Sequence, residues 1–203
     1  MTDKEIYVIN RALDGKDIYM MPPLQKLGLS EVLIQGVKEQ LIINGILVNF
    51  NEFTTNGVLI TKKLKAYKDA YKYVTINNIT IGIGQDKQNV MLMYNPLYED
   101  YKIEYVNIDN MIDDLISTYK FLEECIGEYE EAEKEISLKE LENEFDLGRS
   151  LYFKTKDDRN QKSIEYKVFS HNNCIYVYDY KSNTLKKRMS KNVIKMIREE
   201  IYL

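Results

Sequence analysis

Apolar residues recur along this chain with two different periods, and each change of period marks an element. Near the start, Ile6, Ile9 and Leu13 share one face of a helix over 6–13, with Thr2 or Asp3 placed to cap it. Asp14-Gly15 is a stop signal. Met21-Pro22-Pro23-Leu24 is extended, because a residue before proline avoids helical backbone. Ser30 caps a second helix over 32–43, with Leu33, Val37 and Leu41 inward and Asn44-Gly45 at its end. Residues 46–53 read as a short strand pair around 49–52. Thr54 or Thr55 caps a third helix to about residue 71, with Leu59, Leu64 and Tyr67 or Tyr71 inward.

The period then shifts to two. Residues 74–84 alternate through Val74, Ile76, Ile79, Ile81 and Ile83, with Asn77-Asn78 as a bulge or bend. A turn at 85–88 and strands over 89–94 and 101–107 complete a meander. A helix opens at Asp109. Its positions Ile108, Ile112, Leu115, Tyr119, Leu122 and Ile126 form a heptad seam, which predicts packing against one partner face. Residues 128–135 extend it as a charged run. Ser137 and Glu140 form a capping box for a helix over 137–145, which is expected to pair with the preceding one. Strands follow over 151–156, 164–169 and 174–180. Ser190 caps a last helix with Val193, Met196, Ile197 and Ile201 inward.

The fold class implied is α+β: a winged-helix-like N-terminal segment, then antiparallel meanders in two similar halves sharing a sheet, with acidic helices and a C-terminal helix. Residues 1–203 read as a single domain, its halves about 1–126 and 127–203. The length suffices for a sizeable core.

Charge adds a segregation that the net value of −4 hides. Residues 1–98 hold 11 basic and 9 acidic side chains, 99–148 hold 4 and 17, and 149–203 hold 13 and 6. Either the acidic middle pairs with the basic end, or each faces something else. Tyrosine is abundant, with 17 residues, and tryptophan is absent. The first residues are acidic and lack a long apolar run, so no signal peptide is expected. The longest apolar stretches, such as 40–50, are too short to cross a bilayer. Cys125 and Cys174 read as two reduced, buried thiols, which places the chain in the cytoplasm.

Catalytic chemistry is hard to place. The one histidine, His171, falls in a turn, and no Cys or His has zinc-ligand spacing. No Gly-x-Ser-x-Gly occurs, and carboxylates in 99–148 are too frequent for any pair to stand out. Gly82-x-Gly84 lacks a third glycine and a following helix, so it reads as a strand end. No enzyme activity, metal or cofactor is expected. Lys186, Lys187, Arg188, Lys191, Lys195 and Arg198 suggest nucleic acid, but no aromatic platform is interleaved and Glu199-Glu200 follows. They read as a solvated face partly paired with the acidic middle. In the winged-helix-like segment, the helix that would enter a DNA groove carries Glu31, Lys38 and Glu39, with no arginine for guanine. DNA binding through it is not expected.

The order of elements resembles the EspG-type chaperones of actinobacterial type VII secretion. The matching features are Met21-Pro22-Pro23-Leu24 for a Leu-Pro-x-x-Leu-like segment and Leu41, Gly45 and Ile46 for a helix end. A long helix, a meander, acidic helices and a final strand pair with an amphipathic helix follow in the same order. Ala12–Lys16 resembles a stretch in small firmicute proteins of type VII secretion loci. The chain is shorter than the actinobacterial family. The resemblance implies a non-catalytic cytoplasmic chaperone or adaptor that holds a helical secretion substrate soluble. Strand 89–94 is apolar on both alternating faces, so it is either buried on both or offers one to a partner; in the second case the contact surface is Met91, Met93 and Tyr94 of one meander with Tyr176, Tyr178 and Tyr180 of the other, because Met adapts to irregular shapes and Tyr supplies area. The alternatives are a winged-helix transcription regulator, and an immunity protein or antitoxin that covers a toxin's basic site with residues 123–146.

Overall fold

A computed structural model describes residues 1–85, 88–125 and 130–202. The architecture is α+β, with antiparallel strand pairing throughout. Contacts divide the chain into two compact units: residues 1–71 with 78–106, and residues 72–77 with those from 107 onward. The division falls at 71, 77 and 106 rather than near 126, because the strand of 72–76 pairs with a strand from the later part of the chain.

The first unit begins with α1 (Asp3–Asn10), capped by a complete Thr2–Glu5 capping box. Ile6, Tyr7, Val8 and Ile9 are all buried. The loop after α1 is tied down by polar contacts. Tyr7 Oη donates to the Pro22 carbonyl at 3.0 Å and accepts from the Ile18 amide, and Asn10 donates to the Lys16 carbonyl at 2.7 Å. A 3-10 turn, Leu24–Leu27, follows Pro23. Helix α2 (Glu31–Ile43) starts at Ser30 and buries Leu41. A two-stranded wing, β1 (Leu47–Asn49) and β2 (Glu52–Phe53), precedes α3 (Thr55–Lys68). Leu64 and Tyr67 face inward as their spacing predicts, but Leu59 is exposed.

The pattern over 74–84 resolves into two strands, β3 (Lys72–Ile76) and β4 (Ile79–Ile83), rather than one bulged strand. Asn77 adopts φ 50°, a left-handed conformation asparagine tolerates, so Asn77-Asn78 reverses the chain. Strands β4, β5 (Asn89–Asn95) and β6 (Asp100–Val106) pair in that order. The expected turn at 85–88 lies partly outside the described residues. Gly82 has a packing role: a Cβ there would stand 2.9 Å from Ala70 Cβ and 3.2 Å from Tyr67, so glycine lets the last turn of α3 and the residue pair after it approach the strand.

In the second unit the heptad seam does not form one helix. Helix α4 (Ile108–Thr118) stops at Tyr119, and a short α5 (Phe121–Glu124) follows. Ser117 and Thr118 hydroxyls both donate to the Asp114 carbonyl, and such back-bonding competes with helical bonds. Ile112, Leu115 and Leu122 are buried, while Ile126 lies outside the described residues. Nor do residues 130–135 extend the helix: Lys134–Glu135 is an edge strand, β7, and residues 128 and 129 of the expected run lie outside the described set. Helix α6 (Leu138–Glu144) has the expected Ser137–Glu140 capping box. It packs on strands rather than as half of a helical pair.

Those strands are β8 (Ser150–Asp157), β9 (Lys162–His171), β10 (Cys174–Asp179) and β11 (Thr184–Arg188). With β3 at one end and β7 at the other, the order is β3-β8-β9-β10-β11-β7. Strand β11 is hidden in the sequence within the basic run that also opens the last helix, α7 (Ser190–Tyr202). On one face of these strands lie Val74, Phe153, Val168 and Val177, all buried. Glu200 of α7 reaches Lys162 of that face at 2.9 Å, and Val193, Ile197 and Ile201 turn inward. The opposite face carries Phe169, Tyr178 and Leu185, which cluster with Ile136 and with Leu141 of α6.

Candidate functional site

The expected contact residues divide between the two units. In β5, Val90 and Leu92 are buried, and Tyr94 lies on their face with its ring 5.0 Å from Tyr101. Met91 and Met93 point the other way and are half-buried. Their cross-strand neighbours are Ile81 and Glu104, and Ile79 and Lys102. Tyr94 therefore does not share a surface with the two methionines.

Tyr176, Tyr178 and Tyr180 do share one face of the second unit, but this chain covers it. Tyr178 is 0% exposed, and its hydroxyl donates to Asn183 Oδ1 at 2.9 Å. Tyr176 stacks on Phe169 at 5.5 Å and meets Phe145, while Tyr180 meets Tyr178 edge-on. Ile136, Leu141, Phe145 and Leu147 close the cluster. Tyr178 is a core residue, and the expectation that this face lies open is corrected.

The acidic middle also finds partners inside its own unit. Glu124 pairs with Arg149 at 2.7 Å, Glu131 with Lys187 at 3.0 Å and Asp113 with Arg198 at 2.7 Å. Glu130 approaches Arg188 and accepts from Asn192 at 2.8 Å; that hydrogen bond holds its carboxyl below the usual range. Of the two options the charge pattern left open, internal pairing is the one these residues adopt. Cations of the basic run, Lys187, Arg188 and Arg198 among them, are engaged by the same carboxylates.

The exposed apolar surface lies elsewhere, around the wing. Thr54 organises it. Its hydroxyl donates to the Gly45 carbonyl at 2.8 Å and accepts from the Gly57 amide at 3.1 Å. One side chain therefore joins the end of α2, the base of the wing and the first turn of α3. Gly57 is required by the close approach, since a Cβ there would fall 2.1 Å from the Ile46 carbonyl oxygen. On these joined segments Ile43 is 76% exposed, and Val48, Phe50, Val58 and Leu59 are exposed as well. Buried partners of the same segments, Leu41, Ile46 and Leu47, hold the backbone in place. The helix periods of α2 and α3 assigned Leu59 to the core, so this surface was missed. The signal available was an apolar count on α2 and the wing larger than one face can bury.

Catalytic geometry is not assembled among the described residues. His171 ends β9 with its ring edge-on to Phe145 at 5.2 Å. Cys174 stands opposite it in register, and no side-chain hydrogen bond joins them. Both cysteines are free, and burial pushes the Cys125 thiol up, which suits an inert packed residue. No group of three or more His, Cys, Asp or Glu is arranged to hold a metal among the described residues. No helix among them is long and apolar enough to cross a membrane.

The class defined is an antiparallel α+β protein with a winged N-terminal module and exposed apolar side chains around it. A family model described as a domain of unknown function, DUF5081, matches residues 1–202, and the chain belongs to that family. No curated protein matches it.

Proposed function

We propose that this chain is a non-catalytic cytoplasmic adaptor that binds a helical type VII secretion substrate and keeps it soluble before export. The observation that carries the reading is the exposure of Ile43, Val48, Phe50, Val58 and Leu59 on the three segments that Thr54 joins. Apolar side chains held on a fixed backbone and left in water favour a protein partner, because covering them releases ordered solvent. A helix laying its apolar stripe along the wing would do so. The order of elements, which resembles EspG-type chaperones, supports the same reading. Met91 and Met93, half-buried on β5, are a second contact in this proposal.

An immunity protein acting through residues 123–146 is less well supported, because Glu124, Glu130 and Glu131 are committed to Arg149, Arg188 and Lys187. A DNA-reading winged helix is less well supported because Lys38 of α2 donates to the Phe50 carbonyl.

Coexpression with type VII substrates of the same cell tests the reading. A soluble complex is expected, and Leu59→Asp combined with Val48→Asp should leave the chain folded and abolish the complex. Substrates that are equally soluble with and without the chain would overturn it.

A further inference from the structure

Beside the exposed apolar group, α1, α2 and the wing enclose a groove of about 290 Å³. Its lining is mostly apolar and includes Ile9, Leu41, Leu47 and Phe53, and its basic residues are Arg11 and Lys38. The volume is at the low end for ligand pockets, which suits one anchoring side chain better than a cofactor.

The electrostatics of this groove are one-sided. The Arg11 guanidinium has no hydrogen-bond or carboxylate partner among the described residues. Lys38 Nζ donates to the Phe50 carbonyl at 2.8 Å, a neutral acceptor that leaves its charge uncompensated. No carboxylate is among the described residues that line the groove. A groove whose charged lining residues are both cations favours an apolar side chain flanked by negative charge, and its apolar residues strengthen the attraction by lowering the local dielectric.

Resting on the adaptor reading, we propose that this groove binds a partner segment in which a large apolar side chain is flanked by carboxylates. The groove would supply register and partner choice, while the apolar group at the wing supplies area.

Fluorescence anisotropy on the full chain tests it with two labelled helical peptides. Each carries a Leu-Phe anchor, flanked in one by two aspartates and in the other by two lysines. The acidic peptide should bind about tenfold tighter or more, and the preference should shrink as salt rises from about 50 mM to about 300 mM. Arg11→Glu, which breaks no hydrogen bond, should erase the preference. The salt series on the unaltered chain gives the same answer should that variant fold poorly. Equal binding of the two peptides, or a preference that survives both salt and Arg11→Glu, would overturn the groove assignment. The two readings fail separately. Substrate complexes that form normally with Arg11→Glu sink the groove alone. Complexes lost only with the Leu59→Asp and Val48→Asp variant also leave the adaptor reading standing without the groove.

Discussion

Between residues 20 and 59 seven large apolar side chains stand exposed: Met20, Val32, Ile43, Val48, Phe50, Val58 and Leu59. From residue 107 onward only Leu138 and Tyr202 do so among the described residues. The second unit covers both faces of its strands, with α7 on one and α6 on the other, and pairs its acidic helices and loops with its own basic strand and helix. The winged module has the same caps and turns but a smaller share of its apolar surface inside. The contrast teaches where to look for function. A region that satisfies its own charges and apolar faces acts as scaffold, whereas one that leaves them unsatisfied on rigid backbone offers them to a partner.

The largest expected effect tests the scaffold side. Phe169→Ala removes a fully buried ring from the α6 cluster and should cost about 3–5 kcal/mol in a urea melt. Leu115→Ala, on the buried face of α4, should cost about 2–5 kcal/mol. A loss below about 0.5 kcal/mol at either position would mean that the face is open and would erase the contrast.

Thr54→Ala comes next. It removes the cap of α3 and the bond that fixes the wing, and should cost about 1 kcal/mol. Substrate binding should weaken more than stability does, which a melt and a binding isotherm on the same sample would reveal.

A smaller effect concerns acid stability. Burial alone would raise the Asp157 carboxyl, but the Asn160 and Arg159 amides, the Asn160 side chain and Lys72 more than offset this and hold it below the usual range. Its folded value therefore lies below its unfolded one. The stability it confers is present above about pH 4 and fades as pH falls through the folded value. Asp157→Asn should be the less stable form at neutral pH, with the gap closing in acid. A constant gap across the series would show that the group does not titrate as described.

The smallest effect on stability is expected at the wing. Leu59→Ser should move the melt by no more than about 0.5 kcal/mol, yet it should reduce substrate binding measurably. A cost above about 2 kcal/mol would place Leu59 in a core after all and remove the basis of the comparison.

What the chain alone determined is local. Ser30, Thr54 and Ser137 with Glu140 start helices where their spacing predicts, and Thr2 caps a helix that runs Asp3–Asn10 rather than 6–13, because a cap bonds amides two or three residues away. The wing and most strands were legible from the period of two and from Asn and Gly at the turns. Tertiary structure decided which faces are covered. Ile108 to Leu122 keep a heptad spacing, yet the helix ends at Thr118, where the Ser117 and Thr118 hydroxyls bond back to the Asp114 carbonyl, and only the folded chain shows that end. Tyr176, Tyr178 and Tyr180 read alike as an exposed or a buried stripe, since alternation marks a face without naming its occupant. Leu59 fits a helix face and still ends in water. Burial depends on what arrives from distant sequence, Leu141 over Tyr178 or nothing over Leu59, and no period within one segment encodes that arrival.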